Sequence, residues 1–145
     1  MKRLAIPFEN LRKEFSSANA KIAILTYGEL KNFKPRADFI AGFFNTAGIV
    51  PEQSGALDTI DAAKAWLAQA DYDYICIAAT DEDTKALVPE LLADKPPHIV
   101  LDAAGKFKEE AEAWTSQGLN GFIFAGQNII EKLNAVAASM KEVQR

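Results

Sequence analysis

The residue types that carry most acid–base and nucleophilic chemistry are scarce in this chain of 145 residues. There is one histidine, His98, and one cysteine, Cys76. A lone cysteine excludes an internal disulfide and a multi-cysteine zinc site. A lone histidine excludes paired-histidine metal motifs and leaves little that titrates near neutral pH. Cys76 lies inside the apolar run Tyr74-Ile75-Cys76-Ile77-Ala78-Ala79, where a thiol is expected to be an inert core side chain. His98 follows Pro96-Pro97 and reads as a structural or partly solvated histidine. Asp102 reads as a turn or helix-capping residue ahead of a site acid. Asp71 and Asp73 read as turn and surface groups, and Lys106, Lys108, Glu109 and Glu110 as a solvated helix face. No credible nucleophile–base pair emerges, which disfavours a hydrolase.

Positioning such residues falls to alternating elements. Ile22-Ala23-Ile24-Leu25-Thr26 reads as a buried strand. A helix is predicted from about Pro35, with Phe39, Ile40, Phe43, Phe44 and Ala47 on one stripe and Gly48 stopping it. Ile49-Val50 reads as a weak second strand, and Gln53-Ser54-Gly55 as a loop. Ile60, Ala63, Trp66, Leu67 and Ala70 line a second helix. Tyr74 to Ala79 is the clearest strand, followed by a T-x-x-D helix start from Thr80 to Asp83 and an apolar face of Leu87, Val88, Leu91 and Leu92. Pro96-Pro97 closes that unit, and His98-Ile99-Val100-Leu101 reads as the fourth strand. A helix from about Lys106 carries Phe107, Ala111 and Trp114, with Gly118 after it. Gly121 to Phe124 reads as the fifth strand, and a last helix from near Asn128 carries Ile129, Ile130, Leu133, Val136, Ala137 and Met140.

Strands that are short and apolar throughout are those of a parallel sheet covered by helices on both faces. With right-handed crossovers, the expected architecture is a three-layer, doubly wound, flavodoxin-like (Rossmann-like) α/β fold with five parallel strands in the order 2-1-3-4-5. Residues 1–20 read as an N-terminal arm or linker and 21–145 as the domain. Within the arm, Ile6-Pro7-Phe8 is apolar without a period, and Ser16-Ser17-Ala18-Asn19 reads as a joint. Composition agrees with one globular domain: 49% hydrophobic and 25% charged. No apolar run approaches a membrane span, and the N-terminal apolar stretch is too short for a secretory signal. A net charge of −4 advertises no nucleic-acid surface. A cytoplasmic protein is expected, with no nucleic acid and no membrane among its partners.

In a doubly wound sheet, ligands bind at the carboxyl ends of the strands. Here those ends are Tyr27-Gly28-Glu29, Gln53-Ser54-Gly55, Ala79-Thr80-Asp81, Asp102 to Lys106, and Ala125-Gly126-Gln127. A dinucleotide fingerprint needs clustered glycines after the first strand, where only Gly28 stands before Pro35. A phosphate receiver needs acidic residues at the first and third strand ends to hold magnesium, and a lysine at the fifth. The third strand ends in Ala78-Ala79-Thr80 and the fifth in Ala125-Gly126, so that pattern is not met.

Motifs along nearly the whole chain resemble the cobalamin-binding domain of methylmalonyl-CoA mutases, in the version found in the small, non-catalytic subunit. Ile6-Pro7-Phe8-Glu9-Asn10-Leu11-Arg12 resembles that family's P-F-E-x-L-R linker. Arg36-Ala37-Asp38-Phe39 through Phe44 and Gly48-Ile49 resembles its R-A-x-F…F-F…G-G-I helix. Lys85 to Leu91 resembles the helix after strand three, and Ala104-Gly105-Lys106 and Gly118 to Ile123 resemble its A-G-R and G-V-D-x-F-I stretches.

The cobalt-binding loop of that family, G-x-D-x-H-x-x-G, falls on Gly28, Leu30, Asn32 and Pro35, which lose its aspartate, histidine and second glycine. Its S-x-L falls on Ala78, Ala79 and Thr80, and its later glycines near Ala103 and Ala104. An aliphatic and an amide cannot replace an imidazole on cobalt. The resemblance therefore implies a retained fold with a discarded site: no catalytic, metal or cofactor-binding residue in this chain. It further implies adenosylcobalamin held by a partnering large subunit, and a role in assembling the heterodimer that isomerises methylmalonyl-CoA and succinyl-CoA. A barrel domain ahead of residue 1 would make this chain a fragment. The alternative expectation is a module binding a small ligand or a base-on corrinoid.

Overall fold

The computed structural model describes residues 21–144 apart from Ala47, Pro97 and Ala125. The expected arm, residues 1–20, lies outside the described residues. Among the described residues five strands and five helices alternate: β1 Ile22–Thr26, α1 Leu30–Asn45, β2 Glu52–Gln53, α2 Ile60–Gln69, β3 Tyr74–Ala78, α3 Asp81–Asp94, β4 Val100–Ala104, α4 Ala111–Gln117, β5 Gly121–Ile123 and α5 Ile129–Gln144. All strand pairs are parallel and the order is β2-β1-β3-β4-β5, as expected from the sequence.

Every residue of β1, β3 and β4 is buried, because helices cover both faces. On one face α1 and α5 pack Phe33, Ile40, Phe44, Leu133, Val136 and Met140 against Ile24, Tyr74, Cys76 and Val100. On the other, α2, α3 and α4 pack Leu67, Leu87, Leu91 and Trp114 against Leu25, Ile75, Ile77 and Leu101. Cys76 is fully buried in the first of these layers. Among the described residues, no helix is long and apolar enough to cross a membrane.

Several boundaries differ from the sequence expectation. Helix α1 starts at Leu30, five residues before Pro35, which sits inside it. Its N-cap, Glu29, makes no side-chain capping bond, so no start signal marked the position. Pro35 loses only one backbone bond, to the carbonyl of Lys31. The buried stripe of α1 is Phe33, Ala37, Ile40, Phe43 and Phe44; Phe39 falls off it and is 41% exposed. Ala47, assigned to that stripe, lies outside the described residues.

The second strand is Glu52–Gln53, not Ile49-Val50. It is an edge strand paired only to β1, with both side chains exposed, and so carries no apolar signature. The fourth strand runs Val100–Ala104 rather than His98 to Leu101; His98 is an exposed turn residue. Asp102 is therefore a buried mid-strand residue instead of a turn or cap. Helix α4 is shorter than expected, with Phe107 buried in the turn that precedes it.

Candidate functional site

Arg36 bridges the carboxyl ends of β3 and β4. This residue follows Pro35 in α1, and its mostly buried guanidinium crosses the gap between β3 and β4. Nη1 donates to the carbonyl of Ala79 at 2.6 Å and to that of Ala104 at 3.1 Å. Nη2 binds the Asp81 carboxylate at the start of α3. A charged donor thus satisfies the carbonyls left free where the strand ladder ends.

Around it the local chemistry is explicit. Thr80 caps α3: its Oγ1 accepts from the N–H of Asp83 at 3.2 Å, as the T-x-x-D pattern predicts. Asp81, Glu82 and Asp83 occupy the first turn of α3, where the helix dipole favours negative charge. Gly105 leaves β4 at φ +125°, and a Cβ there would come within 2.8 Å of the Phe107 ring and 3.3 Å of Arg36 Nη1. Only glycine satisfies both the left-handed backbone and the approach of the guanidinium.

Arg36 and Pro35 stand between two shallow clefts. One, of 570 Å³, is polar and lined by Asn32, Thr80, Asp81, Glu82 and Asp83. The other, of 330 Å³, is mostly apolar and lined by Phe39, Ala104, Gly105, Lys106, Ile123 and Phe124. Lys106 Nζ sits 5.3 Å from the centre of the Phe124 ring, a cation–π contact. At β1, Thr26 is fully buried, and its Oγ1 donates to the Gly55 carbonyl at 2.7 Å while its N–H donates to Ser54 Oγ at 3.0 Å.

The residues singled out from the sequence are only partly gathered here. Gly28 follows β1 at φ +93°, with Asp83 Oδ2 3.3 Å from where its Cβ would be. Leu30 opens α1 and is 62% exposed. Asn32 and Pro35 line the polar cleft beside Arg36. Ala78 is buried at the end of β3 and Thr80 caps the next helix. Ala103 and Ala104 are buried within β4. Among the described residues, no group of three histidine, cysteine, aspartate or glutamate side chains could hold a metal ion.

A second polar cluster, unseen in the sequence, lies under α5. Asp102 Oδ2 accepts from Lys132 Nζ at 2.9 Å and from the Tyr74 hydroxyl. Its Oδ1 accepts from Asn120 Nδ2 at 2.9 Å, and Asn120 Oδ1 in turn accepts from Ser139 Oγ at 2.9 Å. Burial, then the Asp102 charge, pushes the Tyr74 phenol well up. The Cys76 thiol beside them is also pushed well up, by burial first and the Asp102 charge second. A thiol and a phenol held protonated are not nucleophiles.

No family model and no curated protein matches the chain. Solved structures do. The chain is similar to the pilus assembly protein CpaE from Caulobacter crescentus, at 12% identity and TM-score 0.52 over 83% of this chain and 94% of that one. It is similar to the signal receiver domain of a putative LuxO repressor protein from Vibrio parahaemolyticus, at 12% identity and TM-score 0.52 over 86% and 93%. It is also similar to NtrX from Brucella abortus, solved with ADP, at 19% identity and TM-score 0.55 over 86% of this chain and 27% of that one. At these identities the likeness establishes the doubly wound fold.

These findings overturn the mutase reading. These three similar structures are CpaE, NtrX and a receiver domain, and they do not support a methylmalonyl-CoA mutase small subunit, a large-subunit partner in a heterodimer, isomerase membership or a corrinoid module. The physical reason is that the motifs quoted for the resemblance are mostly apolar stretches and glycines. Any doubly wound sheet of this order imposes those at these spacings.

Proposed function

We propose that this chain is a receiver-fold domain that has given up phosphoryl chemistry and acts in the cytoplasm as a protein-interaction module in a signalling or assembly system. The observation that carries this reading is the position of Arg36. A phosphate receiver gathers carboxylates at its strand ends so that magnesium and a phosphoryl group can be held there. Here β3 runs out through Ala78, Ala79 and Thr80, and a guanidinium is tied to the carbonyls of Ala79 and Ala104 across the mouth of the crevice. The acidic residues nearby, Asp81 to Asp83, belong to the helix start and one of them is already paired with Arg36.

With no phosphoacceptor in place, recognition is the task left to the surface. The apolar cleft edged by the exposed Phe39 and by Phe124 suits it. A single, buried thiol accords with a reducing compartment.

The test is incubation of the protein with magnesium and acetyl phosphate, read by intact mass, and with beryllofluoride, read by amide NMR. The expected result is an unchanged mass and unmoved resonances around Ala79 and Ala104. A labile phosphoryl adduct, or beryllofluoride-dependent shifts at the strand ends, would overturn the reading.

A further inference from the structure

Of the two clefts that flank Arg36, the apolar one has a fixed floor. Ala104 of β4 and Ile123 of β5 are register partners in the sheet, and the Gly105 N–H donates to the Ile123 carbonyl at 2.8 Å. Phe39 of α1 and Phe124, just after β5, complete the apolar lining. The segment carrying Phe124 is pinned. Its N–H donates to Gln127 Oε1 at 3.4 Å, and Gln127 Nε2 donates back to the Phe122 carbonyl at 3.0 Å. A lining already held in place loses little freedom when something binds to it.

The charge of this lining departs from that of the chain. It holds two basic side chains, Arg36 and Lys106, and no acidic one, in a protein of net charge −4. Arg36 is committed to the strand-end carbonyls and to Asp81. Lys106 is not: among the described residues it forms no ion pair, and its ammonium rests over the Phe124 ring. The cleft on the other side of Arg36 carries Asp81, Glu82 and Asp83. An anionic group is therefore drawn to the first cleft and repelled by the second.

We infer that the apolar cleft seats one aromatic or branched apolar side chain of a partner protein, in a segment that brings a carboxylate beside it to pair with Lys106. The inference rests on the recognition role proposed above and gives that role its partner. Size selects a side chain of a larger partner over a free metabolite. At 330 Å³ the cleft is shallow and at the low end for ligand pockets, whereas a small-molecule site encloses most of its ligand. One anchoring side chain with a charge at the rim is what such an opening holds.

The experiment is titration of the isotope-labelled full chain with two capped pentapeptides, Gly-Phe-Asp-Asp-Gly and Gly-Phe-Asn-Asn-Gly, followed by amide NMR. The acidic peptide should move the resonances of Gly105, Lys106, Ile123 and Phe124 and bind about three- to fivefold more tightly than the neutral one. Lys106→Gln should erase that preference and leave the neutral peptide's affinity largely unchanged, whereas Phe39→Ala should weaken both peptides. Unmoved resonances, or equal affinity of the two peptides for the native chain, would overturn the inference. So would tighter binding of free N-acetylphenylalanine than of the acidic peptide, which would make a small carboxylate the ligand. A dimer whose dissociation on dilution moves the same resonances would make a second copy the occupant and overturn it too. The loss of phosphoryl chemistry is tested separately, by the acetyl phosphate adduct, whatever these titrations give.

Discussion

Lys132 of α5 and Asp102 of β4 form an ion pair of 2.9 Å, with the lysine side chain 9% exposed and the aspartate fully buried. The pair ties the last helix to the middle of β4. Burying two charges is costly, and the cost is met here by multiple bonds: the same carboxylate also accepts from Tyr74 and Asn120. Gly121 lets this happen, since a Cβ there would stand 3.0 Å from Lys132 Nζ. Removing one partner leaves the other charge stranded. Lys132→Met should therefore cost about 3–5 kcal/mol in urea unfolding, whereas Lys132→Met combined with Asp102→Leu should recover much of that loss. A single variant as stable as the native chain would refute the account.

Arg36 performs a similar service at the strand ends, with more solvent around it. Replacing it by methionine keeps the aliphatic stem but removes the donors to the Ala79 and Ala104 carbonyls. The expected penalty is about 1–3 kcal/mol, the cost of stranding polar groups that are partly shielded from water. Hydrogen exchange should quicken at the ends of β3 and β4 and stay unchanged at β2, where Arg36 makes no bond. Uniform acceleration across the sheet would instead mean a global effect.

What could be read from the sequence was whatever repeats locally. Strand β3 announced itself within the apolar run Tyr74 to Ala79, α2 by its stripe, and α3 by its stripe and its threonine cap, Thr80, whereas the Thr59 cap of α2 emerged only in the structure. The polar arrangements were invisible because their members are distant in the chain. Arg36 bonds across 43 and 68 residues, and Asp102 meets partners 28, 18 and 30 residues away. An aspartate after three apolar residues looks like the end of a strand. Only the side chains around it reveal it as the middle of one. The mutase resemblance failed for the converse reason: its motifs recorded the packing of a sheet, which many functions share.

Two phenylalanines five positions apart separate core from surface within α1. Phe44 is fully buried and packs edge-on against Tyr74 with centroids 5.3 Å apart, whereas Phe39 is 41% exposed beside Phe124. Phe44→Ala should cost about 3–5 kcal/mol. Phe39→Ala should stay within roughly 0.5 kcal/mol of the native protein. Chemical denaturation of both variants in one buffer checks the contrast, and a large loss from Phe39→Ala would return it to the core stripe where the sequence alone had put it.

Alkaline pH should unfold the protein through residues that never ionise while it is folded. Burial, reinforced by the Asp102 charge, holds the Tyr74 phenol well above its ordinary 10.0. Burial and Asp102 likewise hold the Cys76 thiol well above 9.0, against a smaller opposing pull from the Lys132 charge and a hydrogen bond with Tyr74. Tyr27 and Tyr72 are displaced in the same direction, the first chiefly by burial and the second by its bond to Glu52. A raised folded value means that the unfolded chain releases its protons first. The stability that the two fully buried groups, Tyr74 and Cys76, contribute is complete below pH 9.0 and is lost as pH rises from each group's unfolded value towards its folded one, by about 1.4 kcal/mol per pH unit for each. Urea midpoints should fall from pH 9 upward and fall less steeply in Cys76→Ala and Tyr74→Phe, which remove one ionisation each. Identical slopes in all three proteins would show that neither buried group governs the alkaline limb.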